Sequence, residues 1–211
     1  TGKTSTARIL AAALNCAEGP TPEPCGVCDM CRSIALGNAM DVVEIDAASN
    51  TGVENIRDLR ERVKFAPAEG RYKVYVLDEA HMLSQGAVNA LLKTLEEPPP
   101  HVVFLLLTTE SHKIIPTILS RCQHFEFRAI TLADIAASLR RIAEQEQIQV
   151  DDSALMAIAQ AAEGAMRDAQ SIFDQVVAYA DGPITIELVN EVLGVTDHAL
   201  LSSITDQIIS G

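Results

Sequence analysis

Thr1-Gly2-Lys3-Thr4-Ser5 opens the chain and carries the strongest early information about its fold. The triad Gly-Lys-Thr fits the end of the glycine-rich phosphate-binding pattern G-x-x-x-x-G-K-[ST]. The strand and the first glycine that precede this triad in the pattern are absent, so we expect a fragment whose N-terminus is a cut. Because the triad alone also fits an ordinary turn before a helix, the other parts of a phosphoryl-transfer site must be sought downstream.

The composition indicates a globular chain with a substantial core. Its 211 residues are 48% hydrophobic and include no run of 18 apolar residues, so no transmembrane span is expected. The net charge of −13 is uneven, since residues 1–130 carry 13 basic and 16 acidic side chains and residues 131–211 carry 3 and 13. This acidity opposes non-specific binding to nucleic acid, so any DNA contact needs a local basic surface or a partner subunit.

Hydrophobic patterning predicts strands that alternate with helices up to about residue 130. The predicted strands cover 41–46, 73–78, 102–109 and 124–127. The helices between them cover about 4–14, 53–63 and 84–97. Beyond residue 130 the pattern is purely helical, over about 132–146, 151–162, 167–180 and 185–193, with one more helix after 196. We therefore expect a parallel α/β domain over 1–130, a small all-helical domain over 131–195 and the start of a third domain over 196–211.

Polar residues at helix and strand ends could form a nucleotide triphosphate site. In the predicted nucleotide-binding segment Gly2–Ser5, Lys3 can reach the β- and γ-phosphates and the Thr4 hydroxyl can ligate Mg²⁺. The helix that follows adds amide donors and the positive end of its dipole. Asp78 and Glu79 end a hydrophobic strand, the Walker B arrangement, in which Asp78 would hold Mg²⁺ and Glu79 would act as general base.

Five other polar residues are candidates for parts of the same site. Thr109 could orient the attacking water, with Thr108 as the alternative because adjacent strand residues face opposite ways. Arg121 could project into a neighbouring subunit and stabilise charge on the γ-phosphate, or form only a surface ion pair. Arg167, a rare cation in an acidic region, could touch the γ-phosphate from a lid or pair locally with an acid. His81 follows the carboxylates and is expected to pack near them.

The segment Cys16–Cys31, with three prolines and two glycines, is predicted to be an irregular loop, the cysteine loop. Its four cysteines, Cys16, Cys25, Cys28 and Cys31, have the spacing of a metal site. Four thiolates can close a tetrahedral Zn²⁺ site, which would be structural because it leaves no open position. An iron–sulfur cluster is the chemical competitor, since C-x2-C-x2-C also suits it. The odd total of five cysteines and the lack of a visible signal peptide argue against a disulfide scaffold. Cys122 is expected to be a small buried hydrophobe.

These motifs closely resemble the gamma/tau subunits of bacterial DNA polymerase III, the motor of the sliding-clamp loader. The cysteine loop inside an ATPase domain makes the resemblance highly specific. The matching segments extend along nearly the whole chain, at Thr1–Arg8, Leu14–Cys16, Pro24–Cys31, Glu44–Ser49, Leu77–Ser84, Ala90–Pro98, Ser120–Cys122, Ala162–Gly164 and Arg167–Ala169.

The resemblance implies an AAA+ P-loop fold: a five-stranded parallel sheet, here without its first strand, then a helical lid and a collar that joins subunits in a hetero-oligomeric ring. It implies an ATP hydrolase of the polymerase holoenzyme, with Mg²⁺ and Zn²⁺, in which Arg121 acts in trans and Arg167 in cis. ATP binding would open the clamp, and hydrolysis on primed DNA would release it. The implied partners are other gamma/tau copies, the delta and delta-prime subunits, the beta clamp and primed DNA, at the nucleoid-associated replisome in the bacterial cytoplasm.

Two other functions fit parts of the sequence. A non-catalytic scaffold subunit would keep the fold without turnover, although it would need neither the lysine nor the two acids. A branch-migration or helicase motor could use the same fold, but the cysteine loop and the Ser-Arg-Cys motif disfavour it. We also expect the chain as it begins here to bind ATP poorly and to hydrolyse little of it.

Overall fold

The computed structural model describes residues 1–49 and 52–194. Its first unit covers residues 2–126, and its second contains the described residues from 127 onward. The predicted start of a third domain, over 196–211, lies outside the described residues. Within the described ranges, no helix is both long enough and apolar enough to cross a bilayer.

The first unit is a parallel sheet flanked by helices. Its elements in chain order are α1 (Lys3–Asn15), α2 (Asp29–Leu36), β1 (Val42–Asp46), α3 (Val53–Val63), β2 (Lys73–Asp78), α4 (Gln85–Glu96), β3 (Val102–Leu106) and α5 (Pro116–Leu119). Short 3₁₀ turns cover Ala80–Met82 and Ser111–Lys113. The strand order is β1-β2-β3, and both pairs are parallel. The predicted parallel α/β architecture is therefore confirmed.

Strand β2 lies at the centre of the sheet because its sequence is apolar on both faces. The side chains of Val74–Leu77 are at most 1% exposed. Tyr75 packs in one apolar cluster with Ile56 of α3, whereas Val76 packs in another with Ala11 of α1. A continuous apolar run is typical of a parallel strand that is covered on both sides. The covered sheet leaves the carboxyl ends of its strands as the place where polar residues gather.

Strand β3 is shorter than predicted, because it ends at Leu106 rather than at residue 109. The backbone of Leu107 still bonds to its neighbours, since its amide donates to Leu77 and its carbonyl accepts from Ala80. The neighbouring strand β2 ends at Asp78, and Glu79 after it takes a left-handed conformation. Thr108 and Thr109, which follow β3, lie in a loop rather than in a strand.

The strand predicted over 124–127 is wrong. These residues form no strand, and the side chain of Phe125 is 73% exposed. Alternating apolar residues favour a strand, but a strand is stable only beside a neighbour that shares its hydrogen bonds. No such neighbour pairs with this segment in the described ranges, where the sheet has three strands rather than the four expected of a five-stranded sheet without its first strand.

The cysteine loop is also shorter than predicted, because helix α2 begins at Asp29 and places Cys31 in its first turn. The sulfur of Cys28 caps this helix by accepting a hydrogen bond from the amide of Cys31. The helix ends at Gly37, whose φ of 73° is the left-handed conformation that glycine adopts without strain.

Two buried polar residues hold the turn that precedes β2. Asp41, 1% exposed, accepts hydrogen bonds from the amides of three consecutive residues, Ala68 to Gly70. Asn15, 4% exposed, accepts from the next two amides and donates to the carbonyl of Tyr72. A Cβ on Gly70 would lie 2.7 Å from the Asn15 Oδ1, so this close approach requires glycine.

The second unit is all-helical. Its helices are α6 (Leu132–Gln145), α7 (Asp152–Ala161), α8 (Met166–Tyr179) and α9 (Ile186–Leu193). They agree with the four predicted helices to within one residue at each end. Thr131 caps α6, since its hydroxyl accepts from the amide of Asp134. Large buried side chains fill the centre, among them Ile135, Leu139, Leu155, Ile158 and Phe173.

Candidate active site and metal centre

The N-terminus of α1 lies beside the carboxyl end of β2. The Thr4 hydroxyl donates to Asp78 Oδ2 over 3.1 Å, which places the first turn of the helix against the strand end. Gly2 precedes the helix with φ 86°, a left-handed conformation that suits glycine. Lys3 and Thr4 are half-buried, and Ser5 is exposed. Free amides at a helix N-terminus bind anions, so this corner can accept phosphate oxygens.

Both oxygens of Asp78 are already oriented. The amide of Glu79 donates to Asp78 Oδ1 over 2.9 Å, while Thr4 occupies Oδ2. Glu79 itself has φ 46°, a left-handed conformation that costs a non-glycine residue about 1 kcal/mol or more. Such strain persists where surrounding contacts hold it, and it is common at active sites.

The structure distinguishes between the two threonines after β3. The Thr109 hydroxyl donates to Glu79 Oε2 over 2.9 Å, and the Thr109 amide approaches the same oxygen at 3.3 Å. The hydroxyl of Thr108 lies instead 3.0 Å from Nδ1 of His81 and accepts from the amide of Glu110. Thr109 therefore contacts the candidate general base directly, whereas Thr108 does not.

His81 and Glu110 extend the group of polar side chains around Glu79. The side chain of His81 is only 9% exposed; Nδ1 lies 3.2 Å from Glu79 Oε2 and Nε2 lies 3.2 Å from Glu110 Oε2. Lys113 in turn contacts Glu110 at 2.6 Å, and this hydrogen bond lowers the pKa of Glu110. The expectation that His81 packs near the carboxylates is confirmed. Sequence reasoning missed Glu110, because it follows no motif and only the turn after β3 brings it to His81.

The two candidate arginines make different contacts. Arg121 pairs with Glu96 over 2.7 Å and donates to the carbonyl of Thr117, so within one chain it takes part in a surface ion pair. None of the contacts described for Arg121 involves Asp78 or Glu79. Arg167 is exposed and lies in the first turn of α8, in the second unit.

The four cysteines converge as their spacing predicts. The sulfur atoms of Cys16, Cys25, Cys28 and Cys31 all lie within 4.8 Å of one another. Cys16 follows the last residue of α1, Cys25 and Cys28 precede α2, and Cys31 lies in the first turn of α2. In three successive pairs the amide of the later cysteine donates to the sulfur of the earlier one over 3.4 Å. Amide donors of this kind orient thiolate ligands around a metal.

The separation of the sulfur atoms fits a single ion. Four ligands at about 2.3 Å from a tetrahedral Zn²⁺ lie about 3.8 Å apart, inside the observed limit. Amide hydrogen bonds, chiefly that of Ala17, lower the pKa of Cys28 to about 6, which favours the thiolate that a metal binds. Burial raises the pKa of Cys31 to about 12, so this thiol needs the charge of a metal to ionise near neutral pH. Arg71 also donates to the carbonyls of Cys16 and Ala17, which ties the loop to the turn before β2.

Two protein-family models match consecutive stretches of the chain. The family model described as the DNA polymerase III delta subunit matches residues 1–131. The model of the DNA polymerase III clamp loader subunit ATPase lid domain matches residues 134–182. The chain belongs to the family of DNA polymerase III clamp-loader subunits.

Relatives within the clamp-loader family are gamma and tau subunits. The chain is 50% identical over 211 residues to DNA polymerase III subunit tau of Bacillus subtilis, covering 100% of this chain and 36% of that protein. It is also 50% identical over 208 residues to the tau subunit of Escherichia coli, covering 99% and 32%. The chain thus spans about a third of the length of these curated relatives. The predicted resemblance to gamma/tau subunits is confirmed.

Solved structures identify the fold of this clamp-loader family member. The RuvB Holliday junction branch migration motor of Thermotoga maritima matches with a TM-score of 0.60 at 19% identity, covering 77% of this chain and 55% of that one. Its K64R mutant gives the same TM-score at 18% identity, with the same coverage of both chains. Identities this low show the fold alone, which is the AAA+ P-loop fold with a helical lid, as predicted.

Proposed function

We propose that the chain is the ATPase portion of a gamma/tau subunit, which uses ATP binding and hydrolysis to place a sliding clamp on primed DNA. The observation that carries the proposal is the joining of two motifs that are 74 residues apart, through the 3.1 Å hydrogen bond from Thr4 to Asp78. A hydroxyl and a carboxylate brought together at a helix N-terminus are what a magnesium-bound triphosphate needs. A non-catalytic scaffold would not need this arrangement.

In this proposal each polar side chain has one role in hydrolysis. Gly2 and the amides of the α1 N-terminus, with Lys3, bind the β- and γ-phosphates. Thr4 and Asp78 would hold Mg²⁺, which supplies neutralising charge on the phosphate oxygens when it is bound. Glu79 accepts the proton of the attacking water, and Thr109 keeps the Glu79 carboxylate oriented.

We further propose that the four cysteines hold a structural zinc ion. The single group of sulfur atoms within 4.8 Å supports one ion over an iron–sulfur cluster, because a cluster places its own iron and sulfide atoms between the cysteines. The ion would fix a loop that joins the end of α1 to α2. Since α1 also begins at the proposed phosphate site, the zinc loop would anchor the far end of the same helix.

We propose the partners of the chain from those that the family resemblance implies. The proposed ring contains other gamma/tau copies with the delta and delta-prime subunits, and it acts on the beta clamp and primed DNA in the bacterial cytoplasm. Arg121 lies exposed after α5, which suits the proposed role in trans on a neighbour's nucleotide. Arg167 would act in cis from the lid. The net charge of −13 favours DNA contacts through the assembly rather than through this chain alone.

The test is ATP hydrolysis by the complete protein assembled with its partners, with and without clamp and primed DNA. We expect clamp and primed DNA together to stimulate turnover, and Lys3→Ala to abolish it. Lys93→Ala, which removes an exposed lysine of α4, is the matched control and should keep the wild-type rate. Unchanged turnover in Lys3→Ala would contradict the proposal. Turnover that responds to branched DNA but not to clamp would favour a branch-migration motor instead.

A further inference from the structure

His81 connects the candidate general base to a second acid. Its ring is nearly enclosed, and its two nitrogen atoms face carboxylate oxygens of Glu79 and Glu110, each at 3.2 Å. Lys113 holds the far acid in place through its own contact with Glu110. The charged and titratable groups around the ring are thus Glu79, Glu110 and Lys113, with His112 acting on Glu110 from nearby.

The contacts on Glu79 are asymmetric. The hydroxyl of Thr109, the amide of Thr109 and Nδ1 of His81 all approach the same oxygen, Oε2. Within the described ranges, no contact recorded for the Glu79 side chain falls on Oε1. One oxygen of the carboxylate is therefore fixed by protein donors, and the other is left to accept a proton from water.

We propose that His81 is a positioning residue for hydrolysis, whose Nδ1–H donates to Oε2 of Glu79 so that Oε1 is held ready for the attacking water. This inference rests on the proposed function, since it concerns the same general base. The backbone of Glu79 is left-handed, a strained conformation that persists only where surrounding contacts hold it. Thr109 and His81 supply such contacts at the Glu79 carboxylate.

The proposal requires a proton on Nδ1. If both ring nitrogens carry a proton, Nδ1–H can donate to Glu79 and Nε2–H to Glu110; if only Nε2 carries one, it donates to Glu110, and Nδ1 accepts from the hydroxyl of Thr108. Two substitutions separate these cases. The side-chain amide introduced by His81→Asn would lie near the position of Nδ1, whereas the amide introduced by His81→Gln, one methylene longer, would lie near the position of Nε2. Only His81→Asn should preserve the contact with Glu79.

The experiment measures kcat and KM for ATP, together with thermal unfolding, in the complete protein assembled with its partners. We expect His81→Ala and His81→Gln to lower kcat about tenfold to a hundredfold, the loss of one hydrogen bond to a charged group, with little change in KM. His81→Asn should keep kcat within about threefold of the wild type, because a donor remains. His112→Ala, which removes an exposed histidine of the same loop region, is the matched control and should have the wild-type kcat.

Three results would overturn the positioning role. The first is a wild-type kcat in His81→Ala while Glu79→Gln is inactive. The second is rescue by His81→Gln rather than by His81→Asn. The third is an equal loss of kcat in all three His81 variants together with a lower unfolding temperature, which would assign the histidine to structure alone. Full activity in Glu79→Gln would instead overturn the proposed function itself, so the two failures are distinguishable.

Discussion

Asp41 shows at the scale of one residue how a buried charge can hold a loop. Burial by itself raises the pKa of this carboxyl, but the amides of Gly70, Glu69 and Ala68 outweigh it and leave the pKa below its ordinary value. A depressed pKa in the folded state means that the ionised form stabilises the fold. The contribution is fully present above the unfolded-state pKa of about 3.9 and is lost as the pH falls through the folded-state value.

We therefore predict that Asp41→Asn destabilises the first unit by about 2–4 kcal/mol near neutral pH, since asparagine lacks the charge and has one acceptor oxygen where the carboxylate uses two. The penalty should begin to shrink below about pH 4, where the carboxyl is protonated in the unfolded state, and it should vanish only below the lower folded-state pKa. Denaturant unfolding between pH 3 and pH 7 measures both effects. Asp58→Asn, on an exposed position of α3, is the control. A penalty that stays constant over this pH range would contradict the electrostatic explanation.

The sequence could not decide whether Thr108 or Thr109 contacts Glu79. Strand alternation predicts that the two side chains diverge, but it does not predict which of them meets Glu79. The answer depends on where β3 ends and on the backbone conformation of Glu79, which is left-handed. No propensity favours a left-handed glutamate, so the sequence left both threonines open. The Thr4–Asp78 pair was predictable because both residues lie in motifs whose chemistry requires them to meet.

At the scale of elements, long periodic segments were predicted well. Helix α3 and strand β2 have the predicted bounds, since each carries a clear apolar pattern between turn residues. Helix α2 was not predicted, because its N-cap is the sulfur of Cys28 rather than the oxygen of a serine, threonine, aspartate or asparagine. The prediction of a strand over 124–127 was wrong for the opposite reason. Its apolar residues alternate as in a strand, but no neighbouring strand pairs with it in the described ranges.

At this scale we predict that the cysteine loop binds zinc and that the bound ion stabilises the fold. We expect about one zinc ion per chain, and Cys28→Ser should lose the ion, because one of four ligands is gone and the cap of α2 is weakened. A loss of about 2 kcal/mol would lower the unfolding temperature by roughly 4–8 °C. Metal analysis by mass spectrometry and thermal unfolding measure these effects.

Cys122→Ser is the control for the zinc prediction. Cys122 packs against the core near the sheet and is absent from the group of four sulfur atoms, so this variant should keep its zinc whatever its stability. Stoichiometric zinc in Cys28→Ser would contradict the four-ligand site. Iron and sulfide in the purified protein would show that the competing cluster is the right one.

At the scale of the whole molecule, the family and the fold were predictable because several rare motifs occur in one order. The arrangement of the phosphate segment, the two acids and the cysteine loop is far more specific than any one of them. The roles in the assembly were not predictable from contacts within one chain. Arg121 illustrates this, because its guanidinium pairs with Glu96 in the single chain, whereas the proposed function assigns it to a neighbour's nucleotide.

The most direct test of the account is ATP hydrolysis by the complete, assembled protein carrying Glu79→Gln or Arg121→Ala. We predict that each change lowers turnover at least about a hundredfold while ATP still binds, because a general base and a trans arginine act mainly on the transition state. Glu96→Gln, which breaks the same ion pair but keeps the arginine, should retain turnover. Wild-type turnover in both Glu79→Gln and Arg121→Ala would contradict the proposed ATPase site.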